Sequence, residues 1–165
     1  MPFSSTDSLT STNMNNMLRG LYRDNSDHAV TGTTNETTLG TTTITANTIG
    51  ATGCLHVIAS GTITGSAGNK NIKFVFGGTT VSSTGSIAGT ANWLFDVWIF
   101  NTATNAQRIL VILKDHSTAT AFSYGYATTA IDTTSDQVLK ITGTLINGAD
   151  TITQSAFDVF VCQIT

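Results

Sequence analysis

The chain has 165 residues, 10% of them charged and 40% hydrophobic, with a formal net charge of −3. That length suits one domain with a real core, and the seven Lys and Arg residues are scattered, so the basic face that nucleic-acid binding needs is excluded. No apolar run reaches the roughly 18–20 residues of a membrane-spanning helix. The opening residues show no basic stretch followed by an apolar one, so no secretory leader is expected and synthesis in a cytosol is.

Residues 1–27 read as an N-terminal arm. Met14, Met17, Leu18 and Leu21 recur at helical spacing behind the candidate caps Ser8, Ser11 and Thr12. The spacing predicts a short helix over residues 12–22, with Gly20 weakening its end. A helix this short is marginal alone in water, so its apolar stripe must dock on something. The expectation is scaffold attachment to a neighbouring protein through those four residues.

From residue 28 the rhythm is strand, turn, strand. About a fifth of the chain is Thr, and β-branched residues favour a pleated, half-buried surface. The predicted strands are HAVTGTT, ETTLGTTTITA, CLHVIASGTIT, KNIKFVFGG and TVSSTGSIAG, then NWLFDVWIFN, QRILVILKDH, AFSYGYATTA, QVLKITGTLI and AFDVFVCQI. Clusters such as GSAGN, TATNA, STAT, DTTSD and NGAD separate them as turns. Regular strands without helices between them favour an antiparallel sandwich or barrel over residues 28–165 and exclude a parallel α/β sheet.

Three strands are apolar on both faces. In 93–100, Trp93, Phe95, Val97 and Ile99 take one face, and Leu94, Trp98 and Phe100 take the other with Asp96 among them. Residues 109–113 are all Ile, Leu or Val, and in 157–164 Phe160 and Cys162 oppose Phe157, Val159 and Val161. A sandwich strand buries one face, so the second needs a cover. We assign the uninterrupted Trp93 face to the core, and Leu94, Trp98, Phe100 and Phe160 to a self-assembly interface. The low surface charge suits subunit contact in a homo-oligomer.

Residues for chemistry are sparse. His28, His56 and His116 lie far apart, and no nucleophile elbow, zinc-protease, P-loop or EF-hand pattern occurs. Cys54 and Cys162 sit in apolar strands and lack metal spacing, although a bridge between them is open if their strands are neighbours. Asp132 and Asp136 flank a turn and read as turn formers ahead of cation ligands. The expectation is no catalytic residue, no metal site, no cofactor and no enzyme activity. Tyr124 and Tyr126 share a strand face and are candidate glycan contacts.

The order of phrases carries a resemblance. NWLFDVWIFN, QRILVILKD, a strand ending in ATT, Asp-x-x-x-Asp, LKITGTL, an NGAD turn, TIT and a closing FDVFV strand resemble tailed-phage virion proteins across residues 53–165. The similar proteins are the jelly-roll heads of capsid decoration (cement) proteins and of phage fibres. The resemblance implies an all-β antiparallel jelly-roll sandwich that forms trimers, contacts the major capsid protein or other virion proteins, and sits on the capsid surface after synthesis in host cytoplasm. A cement subunit is the reading adopted, because only a short arm precedes the strands where a fibre tip follows a long shaft. A receptor-binding tail or head fibre tip is the alternative, and a carbohydrate-binding module is another.

Overall fold

The computed structural model describes residues 19–115 and 122–162, and these fold into eleven strands in two antiparallel sheets with no helix among the described residues. The larger sheet holds β1 (Arg19–Asp24), β2 (His28–Val30), β4 (Cys54–Thr64), β7 (Ala91–Ala103), β8 (Ala106–Asp115), β9 (Phe122–Thr129) and β11 (Thr151–Cys162). Its order is β1-β11-β4-β7-β8-β9, and β2 also pairs with β11. The smaller sheet holds β3 (Thr37–Ile44), β5 (Lys70–Phe76), β6 (Thr79–Ser83) and β10 (Gln137–Leu145), in the order β3-β10-β5-β6.

Each strand predicted from residue 28 onward is present. The last one is longer than expected, because TIT and the residues after it continue β11 back to Thr151. A register shift between Gln154 and Ala156 absorbs the extra residue and lets both halves of β11 keep their apolar side chains inward. Between β5 and β6, Gly77 and Gly78 both have positive φ (55° and 76°), the combination a tight two-residue hairpin turn requires.

The helix expected over residues 12–22 is corrected where the structure describes it. Residues 19–24 are β1, an edge strand antiparallel to β11, with Arg19 opposite Val161 and Asp24 opposite Phe157. Pairing satisfies backbone groups that a short helix end would leave to water, and Gly20 gives the helix little propensity. A register shift between Gly20 and Tyr22 lets both Leu21 and Tyr22 pack on the core, the Tyr22 ring meeting Phe157 edge-on at 5.4 Å. Leu21 therefore belongs to the sheet and not to a helical stripe for scaffold attachment. Sheet pairing begins inside the segment read as an arm. Met14, Met17 and Leu18 lie outside the described residues.

One core fills the space between the sheets. Leu55, Val57, Trp93, Phe95, Val97, Ile99, Phe157 and Val159 project from the larger sheet; Ile72, Phe74, Phe76, Leu139 and Ile141 project from the smaller. Phe74 and Phe95 meet across the gap with ring centroids 6.2 Å apart. Trp93 is 2% exposed, and its indole N–H donates to the Thr153 carbonyl at 3.2 Å.

Polar clamps close the two ends. At one, the fully buried Lys70 ammonium meets Asp150 at 2.9 Å and donates to the carbonyls of Ser66 and Gly68 at 2.7 and 2.8 Å. The Asp150 carboxylate also accepts from the Ser66 backbone N–H at 2.7 Å. These bonds, led by the Ser66 amide and then Lys70, hold its carboxyl below the ordinary Asp range. At the other end, Asn101 donates to the Gly50 carbonyl and to Thr133 Oγ1, while the Gln107 side chain both donates to the Ile131 carbonyl and accepts from its N–H.

Candidate functional site

The two outer faces of the sandwich differ in kind. On the smaller sheet, Thr41, Thr43, Lys140, Thr144, Asn71 and Lys73 alternate outward from β3, β10 and β5, with the buried Thr142 and Val75 and the exposed Val138 among them. Lys73 pairs with Glu36 at 2.7 Å, and Thr142 donates to the same carboxylate at 2.7 Å. Those contacts, with Lys73 first, hold the Glu36 carboxyl below its ordinary range. This face suits water.

The outer face of the larger sheet carries an apolar and aromatic row, with charged residues around it: Arg108, Lys114 and the Arg23–Asp158 pair at 2.7 Å. Antiparallel register aligns one row across five strands: Phe160 of β11, His56 of β4, Trp98 of β7, Leu110 of β8 and Tyr126 of β9. Phe100 stands one pair further along β7 and is 41% exposed; Leu110 is 39% exposed and Tyr126 66%. Ile58 and Ile112 occupy the neighbouring row on either side of Asp96. Beyond Phe160 a shallow groove of about 350 Å³ runs along β1, lined by Gly20, Leu21, Tyr22, Arg23 and Phe160. Large apolar side chains left half-exposed in a contiguous row mark interaction surfaces more than isolated ones do.

The rings lean on one another. His56 stacks on Trp98 with centroids 4.0 Å apart and planes 11° from parallel, and Trp98 stacks on Phe100 at 6.0 Å and 10°. His56 also bonds Asp96 through Nε2 at 2.8 Å. Asp96, the one charge in this face of β7, is thus occupied within the face. The imidazole fills one side of the indole, so the platform presents packed rings rather than a bare flat one.

Of the residues assigned to self-assembly, Trp98 and Phe160 flank His56, and Phe100 stacks on Trp98. Leu94 lies on the same face beyond Asp96, opposite Ser60 and Lys114. Tyr126 is exposed at the end of the row, and Tyr124 takes the register position opposite Ile112. Sequence reasoning left out His56 and Leu110. His56 read as an isolated strand histidine, and only the β4–β7 register shows that it lies opposite Trp98.

The carboxylates considered for a cation are engaged by backbone and hydroxyl donors, Asp132 within its own turn and Asp136 with a segment far off in sequence. Asp132 accepts from the N–H and hydroxyl of Thr134 at 2.9 and 2.6 Å, which lowers its pKa, and Asp136 accepts from the Ala46 N–H at 2.7 Å. Among the described residues no three His, Cys, Asp or Glu side chains gather as a metal site would require. Cys54 and Cys162 face each other across β4 and β11 as free thiols, meeting the condition set for a bridge.

No protein-family model matches the chain, and no curated protein matches it. Among solved structures it is similar to the CBM2 module of Lactobacillus casei BL23 phage J-1 evolved Dit, with a TM-score of 0.40, 10% identity, and coverage of 76% of this chain and 70% of that one. It is also similar to a chain in the structure of infectious bursal disease virus Gx strain, with a TM-score of 0.31, 13% identity, and coverage of 88% of this chain and 42% of that one. Both are proteins of viruses or phages. At these scores neither likeness carries an argument about function.

Proposed function

We propose that this chain is a structural subunit of a phage virion, a capsid decoration protein that self-associates through the outer face of its larger sheet. The single observation that carries the self-association is the difference between outer faces: one has a continuous row of Phe160, His56, Trp98 and Leu110 with Phe100 beside it, while the other is mainly Thr, Lys and Glu with Val138 as its exposed apolar side chain. Burying the first against a neighbour at roughly 25 cal/mol per Å² gives an assembly force with no chemistry required. The second stays hydrated outside.

Strand order supports a jelly roll. If β1 and β2, which both border β11, count as one interrupted strand, and the β8–β9 hairpin is set aside as an extension, eight strands remain. One sheet then runs first, eighth, third, sixth, and the other second, seventh, fourth, fifth. That is the double Greek-key order of a jelly roll, an architecture common in capsid proteins.

The test is the mass of the purified full chain, measured by sedimentation across a dilution series, beside the variant Leu110→Glu. The reading expects a trimer for the wild type and a folded monomer for the variant, because a carboxylate set in the row between Trp98 and Tyr126 is costly to bury in a subunit contact. A wild type that stays monomeric at high concentration contradicts it. The exposed Tyr126 favours a second reading, receptor or glycan contact by a fibre tip or carbohydrate-binding module. Glycan binding that is lost in Tyr126→Ala while the oligomer persists would select it.

A further inference from the structure

Cys54 and Cys162 are direct partners in the β4–β11 ladder, near the end of both strands. Their backbone geometry follows from a neighbouring bond. The Asn101 N–H donates to the Gly53 carbonyl at 2.9 Å, so Gly53 points its backbone groups toward β7. Alternation then turns those of Cys54 toward β11, which makes Cys54 and Cys162 a hydrogen-bonded pair. Such pairs hold their Cα atoms about 5.5 Å apart, inside the range a disulfide spans. Their Cβ atoms sit about 1–2 Å wider than a relaxed disulfide prefers, so the strand ends must draw together, and a bond there forms under strain and is easily reduced.

We propose that Cys54 and Cys162 are an oxidative modification site, closing a reversible cross-strand disulfide by exchange with a small disulfide such as oxidised glutathione. The Cys162 side chain is part-exposed and Cys54 is buried, which sets the order of events. The Cys162 thiolate attacks one sulfur of oxidised glutathione, forming a mixed disulfide and releasing one glutathione thiolate. Cys54 then loses its proton to solvent and attacks the Cys162 sulfur, releasing the second glutathione. Two protein thiols are oxidised and one glutathione disulfide is reduced to two thiols. Burial and its contact with Cys162 push the Cys54 thiol up to about 12.

The consequence is mechanical. β11 is the common neighbour of β1, β2 and β4, and the bond would pin its end to the strand it flanks. Because Cys162 shares its strand face with Phe160, the reduced full-length chain is diluted to monomer before it is treated with oxidised glutathione, and its thiols are counted and its intact mass read. The expected result is loss of both thiols with no glutathione retained, and return of both when reduced glutathione is added in excess. Cys54→Ser should instead stop at a stable adduct on Cys162, and Cys162→Ser should stay unmodified. Wild type that keeps both thiols, or that accumulates the adduct as Cys54→Ser does, overturns the proposal.

Discussion

Replacing each tryptophan of β7 with Ala separates folding from assembly on one strand. Trp93 and Trp98 are five residues apart, and alternation sends them to opposite faces. Trp93 is 2% exposed and its N–H is bonded to the Thr153 carbonyl. Burying a side chain that covers about 150–250 Å² at roughly 25 cal/mol per Å² contributes about 4–6 kcal/mol. Measured aromatic truncations in cores cost about 3–5 kcal/mol, so that is the expected loss in a urea titration of Trp93→Ala. Trp98 is half-buried on the outer face, where the truncation removes stacking on His56 and Phe100. Such stacking contributes about 0.5–1.5 kcal/mol on top of the area that Trp98 already buries, so Trp98→Ala should cost folding stability too, but less than Trp93→Ala, whose indole is almost wholly buried. It should also shift the oligomer towards monomer. Equal folding losses for the two variants, or a dissociated but stable Trp93→Ala, would refute the assignment of faces.

Other consequences are open to measurement. Gln107→Leu leaves the Ile131 N–H and carbonyl without their side-chain partner, and denaturant titration should show a loss of about 1–3 kcal/mol. Asp150 and Glu36 have lowered carboxyl pKa values, so their contribution is present above the ordinary carboxylate pKa near 4 and is lost as pH falls through the folded values. The melting midpoint should therefore fall steeply below about pH 4, and Asp150→Asn should flatten that limb while lowering stability at neutral pH. Deleting residues 1–18 should leave a cooperative fold, whereas deleting 1–24 removes β1 with Leu21 and Tyr22 and should lower the midpoint. A Cβ on Gly61 would collide with the Thr153 backbone carbonyl, so Gly61→Ala should loosen the β4–β11 ladder, visible as faster amide exchange there.

Alternation made most of the sandwich legible. Trp93-x-Phe95-x-Val97-x-Ile99 faces inward because period-two side chains on a strand have no other way to bury four large groups together. The N-terminal segment misled because Leu21 fits a helical spacing with Met17 and Leu18, while its true neighbours are on β11, far away in sequence. A long-range ladder leaves no local trace. The same limit hid His56, whose place beside Trp98 depends on which strands pair and in what register. The buried Lys70–Asp150 clamp was equally invisible, since a charge at a strand end and another in a turn eighty positions away show no local sign of pairing.

The central claim is that the outer face of the larger sheet is buried between subunits. Trp98 reports on it directly once Trp93→Phe has removed the other indole. Acrylamide quenching of that variant, followed from dilute to concentrated protein beside its mass, should show Trp98 partly accessible in the monomer, where His56 covers one side of the indole, and further shielded as the oligomer forms. A mass that rises while quenching stays unchanged, or a Trp98 already fully shielded in the monomer, would contradict the account.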